Sequence, residues 1–153
     1  MDSIDIKLLH LLAAQSDTTA TALSPLVNLS VPAVNKRIAR LKSSGLIHRF
    51  TILTDARQVG KPVTAFIMLT LDQFTQEPAL MDYVRSDPDV LECYAVTGEY
   101  DYILKVCAAG TEALEEKLIR LKQCRGVSKS HTMLGLLEHK FEPIPLPDRT
   151  GVE

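Results

Sequence analysis

Lys36 and Arg40 stand four residues apart, a spacing that places two cations on one face of a helix. At 100° per residue, Val31, Val34, Ile38 and Leu41 form an inward seam. Pro32, Ala33, Lys36, Arg40 and Ser43 lie opposite, with Asn35 and Arg37 on the flanks. Long cations beside small residues can enter a major groove and meet base edges or phosphates. Ser30 and the free N–H groups of the first turn make an anion anchor, and Arg49 adds a further cation for the backbone. From Thr18 to Thr54 there are five basic residues and no acid. Residues 1–60 hold 7 Lys+Arg and 4 acids, whereas residues 61–153 hold 10 and 15, so a net charge of −2 conceals a basic module ahead of an acidic body. Double-stranded DNA is the expected partner; an ordinary solvated helix face is the alternative.

A second concentration of chemistry is Thr97-Gly98-Glu99-Tyr100-Asp101-Tyr102. A tight glycine turn offers backbone N–H groups to a carboxylate, Glu99 or Asp101 offers charge to an ammonium, and the tyrosines supply walls. A small zwitterion fits that set, and so does a plain hairpin turn with solvated acids. Catalysis finds no comparable support. His10, His48, His131 and His139 show no metal-ligand spacing, no serine sits in G-x-S-x-G, and no glycine-rich phosphate loop exists. Neither a metal nor a cofactor is expected, and the chain is read as a non-enzyme.

The elements that position these residues follow from periodicity. Ile4, Leu8, Leu11 and Leu12 mark a first helix to about Ala14, a short second helix covers residues 20–27, and a third runs from Ser30 as N-cap to Ser43 or Ser44. Asn28 sits where a tight turn between helices needs a left-handed residue, and Gly45 supplies the stop. Residues 46–53 read as a strand and 54–62 as a linker. Beyond it come a strand over 63–71, a helix over 78–86, strands over 90–97 and 101–108, a helix capped by Thr111, and an extended segment over 127–140. The order βαββαβ is ferredoxin-like.

These assignments give an α+β chain: residues 1–53 a helix-turn-helix, 54–62 a linker, 63–141 the ferredoxin-like domain, 142–153 a flexible tail. Apolar residues alternate onto both faces of the expected sheet, which calls for a second copy as cover, a homodimer at least. The apolar runs fall far short of the ~20 residues a bilayer span needs. The acidic opening Met1-Asp2-Ser3-Ile4-Asp5 lacks a signal-peptide pattern. Cys93, Cys107 and Cys124 are odd in number and widely spaced, as for reduced thiols in a cytoplasm.

Three motifs then resemble one family. Asp2-x-x-Asp5-x-x-Leu8-Leu9 is similar to the first-helix signature of the leucine-responsive regulatory protein/AsnC family of transcription regulators. Leu29-Ser30-x-x-x-Val34-x-x-Arg37-Ile38-x-x-Leu41-x-x-x-Gly45-Leu46-Ile47 resembles its recognition-helix signature, and Gly98-Glu99-Tyr100-Asp101 its glycine turn. The resemblance implies a winged-type helix-turn-helix, an amino-acid-sensing second domain, and dimers that assemble into octamers. It implies DNA contacts from Ser30, Lys36, Arg37 and Arg40. It further implies an effector site in a cleft between dimers, at Gly98, Glu99, Tyr100 and Asp101, faced by Thr132, Leu134 and Leu136 of the last strand. Pro25 in the second helix, Asn28 in place of a turn glycine, and Lys42 where an acid is common depart from the family pattern. Two other readings share the architecture: an effector-free, chromatin-like DNA organiser, and a siroheme-decarboxylase-like enzyme. Against the enzyme, residues 51–71 contain no His and the chain has no Trp.

Overall fold

The computed structural model describes residues 1–72 and 77–148, and the chain divides into two compact units. The first comprises residues 1–53 with the segment from Lys140 onward, the second residues 54–139.

In the first unit, α1 (Ser3–Ala14) starts at a reciprocal capping box: the Asp2 carboxylate accepts from Asp5 N at 2.9 Å, and the Asp5 carboxylate accepts from Asp2 N at 3.2 Å. Helix α2 (Ala20–Leu26) is capped by Thr19, whose hydroxyl accepts from Ala22 N, and it is only 7 residues long with Pro25 inside it. Asn28 adopts φ +53°, the left-handed conformation that the turn requires. Helix α3 (Val31–Ser43) follows, and Gly45 at φ +77° ends that region. Ser30 occupies the N-cap position, but its side chain makes no cap hydrogen bond. Leu8, Leu12, Leu23, Val27 and Val34 form the core, with Ile4, Leu11, Ile38 and Ile47 packed against them.

Residues 46–53, expected as a strand, form none here. The physical reason is the lack of a ladder: among the described residues no segment pairs with them, and Leu46, Phe50, Ile52 and Leu53 remain exposed. The expected tail also differs. Within the same unit His10 Nε2 donates to the Pro147 carbonyl at 2.9 Å, so residue 147 is tied to α1. Residues 149–153 of that tail lie outside the described residues.

The second unit is built on a fully antiparallel sheet of order β2-β3-β1-β4, from β1 (Val63–Leu71), β2 (Val90–Ala95), β3 (Tyr102–Ala108) and β4 (Val127–Gly135). Helices α4 (Glu77–Ser86) and α5 (Thr111–Gln123) connect its halves in the ferredoxin-like manner. Alternation sends Ala65, Ile67, Leu69 and Leu71 of β1 into one core with Tyr102, Leu104 and Val106 of β3, Leu80 of α4, and Leu114 and Leu121 of α5. The intervening residues share the other face, where Phe66 pairs in register with Met133 and Met68 with both Ile103 and His131. Helix α5 takes Gly110, not Thr111, as its N-cap. Strand β4 stops at Gly135 rather than continuing to 140. Its partner β1 begins at Val63, and Leu136, beyond the last paired residue, is 91% exposed.

Candidate functional site

In the first unit α3 buries Val34 and Leu41, which leaves Pro32, Asn35, Lys36 and Arg40 exposed and Ala33 and Arg37 partly so. Ser30 and Arg49 are also exposed. Among the described residues Lys36 and Arg49 make no ion pair. Lys42 lies 5.6 Å from the Phe50 ring centroid.

The two arginines of α3 are engaged at one end of α1. Arg37 Nη1 donates to Asp2 Oδ2 at 2.7 Å and to Asp5 Oδ1 at 2.8 Å, and Arg40 Nη2 donates to Asp5 Oδ2 at 2.6 Å. The Arg37 hydrogen bond, reinforced by that of Asp5 N, holds the Asp2 carboxyl below its ordinary range. In return Asp2 and then Asp5 hold the Arg37 guanidinium more firmly protonated. Charge counting along the sequence gave α3 two free arginines and overlooked this pairing. The local signal was the recurrence of acids at Asp2 and Asp5 in the first-helix motif, which by itself names no partner.

In the second unit Gly98 has φ +118°, a conformation open to glycine but strained for other residues. The turn crosses the end of β1: Asp101 N donates to the Leu69 carbonyl at 2.9 Å, and Asp101 Oδ2 accepts from Leu71 N at 2.8 Å. Asp101 is thus a clasp between the turn and β1. Glu99 reaches the opposite edge, where its Oε1 accepts from Lys129 Nζ at 2.6 Å. Lys129 lowers the Glu99 carboxyl, and Glu99 raises the Lys129 ammonium. The Lys129 ammonium also lies 5.3 Å from the Tyr100 ring centroid, and the Tyr100 and His131 ring centroids are 6.2 Å apart with the planes tilted by 30°.

Strand alternation separates the expected effector residues. Lys129, His131 and Met133 share the face of Phe66 and Met68, whereas Thr132 and Leu134 pair with Ile67 and Ala65 and share the opposite, helix-covered face. Leu136 lies past the sheet. Within one chain the glycine turn therefore meets Lys129 and His131, which sequence reading did not select. They are some thirty residues away along the chain, and no local pattern joins them to the turn. Thr70, which pairs with Lys129, has a buried hydroxyl without a hydrogen-bond partner among the described residues. No group of three His, Cys, Asp or Glu there could hold a metal ion, and no helix is long and apolar enough to cross a membrane.

Residues 1–42 match the AsnC-type helix-turn-helix domain, and residues 64–145 match the Lrp/AsnC ligand binding domain. The chain belongs to the Lrp/AsnC family. It is 34% identical to the HTH-type transcriptional regulator LrpA of Mycobacterium tuberculosis over 137 residues, 88% of this chain and 89% of that protein. It is 29% identical to the HTH-type transcriptional regulator FL11 of Pyrococcus furiosus over 147 residues, 96% of each. Among solved structures it resembles a transcriptional regulator of Neisseria meningitidis in complex with L-Met, with a TM-score of 0.90 at 28% identity over 95% of this chain and 96% of that one. As an Lrp/AsnC protein the chain is a DNA-binding transcriptional regulator carrying a ligand-binding second domain.

Proposed function

We propose that this regulator binds duplex DNA through α3 as a cytoplasmic homo-oligomer, a dimer or an octamer of four dimers, and that an amino acid bound at the Gly98–Asp101 turn shifts its assembly. The observation that carries the DNA part is the orientation of α3, with Val34 and Leu41 inward and Lys36, Asn35 and Pro32 outward. Two such helices related by a dyad would meet half-sites about 34 Å apart on one face of the duplex. Lys36 and Arg49 are the phosphate contacts, Ser30 and the first turn of α3 an anion anchor, and Arg40 a base-edge reader.

For the effector, the turn presents unpaired N–H groups at Gly98, Glu99 and Tyr100 among the described residues, with Glu99 and Lys129 as opposite charges and Thr70 in register with Lys129. A zwitterion can meet both charges, and the L-Met complex of the Neisseria meningitidis protein supports an amino acid as the class. Thr132, Leu134 and Leu136 would serve such a site only from a neighbouring copy. The ligand alters assembly only by binding one state more tightly than the other. An effector-free DNA organiser is the second reading, favoured by one observation: Glu99 and Asp101 already have partners. Thermal-shift screening of the proteinogenic amino acids tests the choice. A ligand of the native state raises the melting temperature, and a flat screen removes the effector.

A further inference from the structure

Asp5 is the buried charged side chain among the described residues, 1% exposed. A carboxylate in that position is costly unless fully paired, and helix capping does not require its charge. Asp2 already accepts from Asp5 N, and a neutral amide at position 5 would accept from Asp2 N equally well. What a neutral side chain would not do is hold two guanidinium groups from another helix. Both belong to α3, and they are held differently. Arg37 is bridged between Asp2 and Asp5 and its side chain is 23% exposed, so it is committed to the interior of the unit. Arg40 gives Asp5 one Nη2 hydrogen bond at 2.6 Å while its side chain stays 59% exposed. A guanidinium has five N–H donors in a rigid fork, so one bond at its inner side sets the direction of the rest.

Arg40 has little else to direct it. A cavity of about 370 Å³ opens beside it, lined by Asp2, Asp5, Leu41, Ser44 and Leu46. Without Asp5 the side chain has free space in which to turn away. Lys36, one helical turn earlier on the same face, has no such tether among the described residues.

We propose that Asp5 is the positioning residue for base reading. It acts through Arg40, aiming the guanidinium fork out of α3, while Arg37 is the brace that holds α1 against α3 and is not a DNA contact. This rests on the reading of α3 as the DNA-contacting helix. A pre-aimed fork loses less freedom on binding and rewards the matching base, whereas sequence-independent attraction depends only on charge. Asp5 therefore sharpens selectivity at some expense in overall affinity, because it is itself an acid near a polyanion.

The test uses the full chain and two duplexes of equal length, one enriched by the wild-type protein from a random library and one unenriched. Asp5→Asn keeps the shape and the cap acceptor but removes the charge. Its ratio of enriched to unenriched affinity should fall about tenfold, the worth of one bidentate contact, while unenriched binding stays equal or tightens. Arg40→Lys, an exposed change that retains charge, should lose the same ratio with an unaltered salt dependence. The double variant should lose no more than either single one. An unchanged ratio in either single variant overturns the proposal, as do fully additive losses. A parallel loss on both duplexes with a lowered melting temperature would make Asp5 merely structural and overturns it as well. If the wild-type chain enriches no duplex, the reading of α3 falls first and takes this inference with it.

Discussion

Each unit contains a pair of acids close in sequence that grips two cations, and the two pairs are put to different use. In the first unit Asp2 and Asp5 lie one helical turn apart at the start of α1 and hold Arg37 and Arg40. In the second, Asp87 and Asp89 flank Pro88 between α4 and β2, and they hold Lys117 and Lys61. The plan is shared: one inner cation bridges both acids, and one outer cation touches a single acid. Arg37 and Lys117 are the inner members, and Arg40 and Lys61 the outer ones. The inner Lys117 is 11% exposed and gives Asp87 bonds of 2.7 and 2.8 Å while Tyr83 donates to the same carboxylate, which joins α4 to α5. The outer Lys61 immediately precedes the sheet and pins the chain where it enters β1. An ammonium is enough to fasten a loop from any direction, whereas only the planar guanidinium fork gives the outer cation a fixed aim. The same ion-pair chemistry thus fastens a fold or aims a side chain according to where the outer cation points.

Removing the inner cation of the second unit should have the largest effect. Lys117→Ala leaves two partly buried carboxylates without their shared partner, and a loss of about 3 kcal/mol in urea unfolding is expected. A loss near zero would place this pair with ordinary surface bridges. Acid should come next. Lys61 and Lys117 hold Asp89 below the usual carboxylate range despite burial, and at Asp87 burial opposes but Lys117 and Asp89 N prevail. Carboxyls lowered in the folded state add stability that is complete above about pH 4 and is lost as pH falls through the lowered values. Unfolding free energy should thus hold steady from neutrality to about pH 4 and fall below it. The fall should be smaller in Lys117→Ala.

In the first unit Lys36→Ala should leave stability unchanged but lower the salt slope of DNA binding by about one, the signature of a lost phosphate contact. An unaltered slope would remove Lys36 from the interface. Glu99→Gln should be the mildest change. Its bridge to Lys129 is exposed, so the melting temperature should not move, while the thermal shift produced by an amino-acid ligand should shrink. An unchanged ligand shift would detach the ligand from this turn.

Much of the architecture was legible because it rests on local rules. The spacing of Leu8 and Leu12, the left-handed Asn28, the stop at Gly45 and the alternation of β1 all report short-range backbone preferences and one-sided burial. Reading stopped short where a residue depends on a distant partner. The expected strand at 46–53 has apolar residues and alternation, but a strand requires a neighbour, and none is present among the described residues. Thr132 and Leu134 belong with the glycine turn only by family resemblance; within one chain alternation sets them on the other face of β4 from Lys129 and His131, a distinction of one residue that no local pattern carries.

A basic helix-turn-helix joined to an acidic ferredoxin-like domain is already present in the order of residues, since period, capping and charge segregation are written one position at a time. Which cations stay available and which side chains meet the turn depends on the folded arrangement. Asp5 and Arg40 are 35 positions apart, Glu99 and Lys129 are 30 apart, and a hydrogen bond of 2.6 Å between such residues exists only after the chain has closed on itself. Local preference fixes the direction of each element, but charge is neutralised through space.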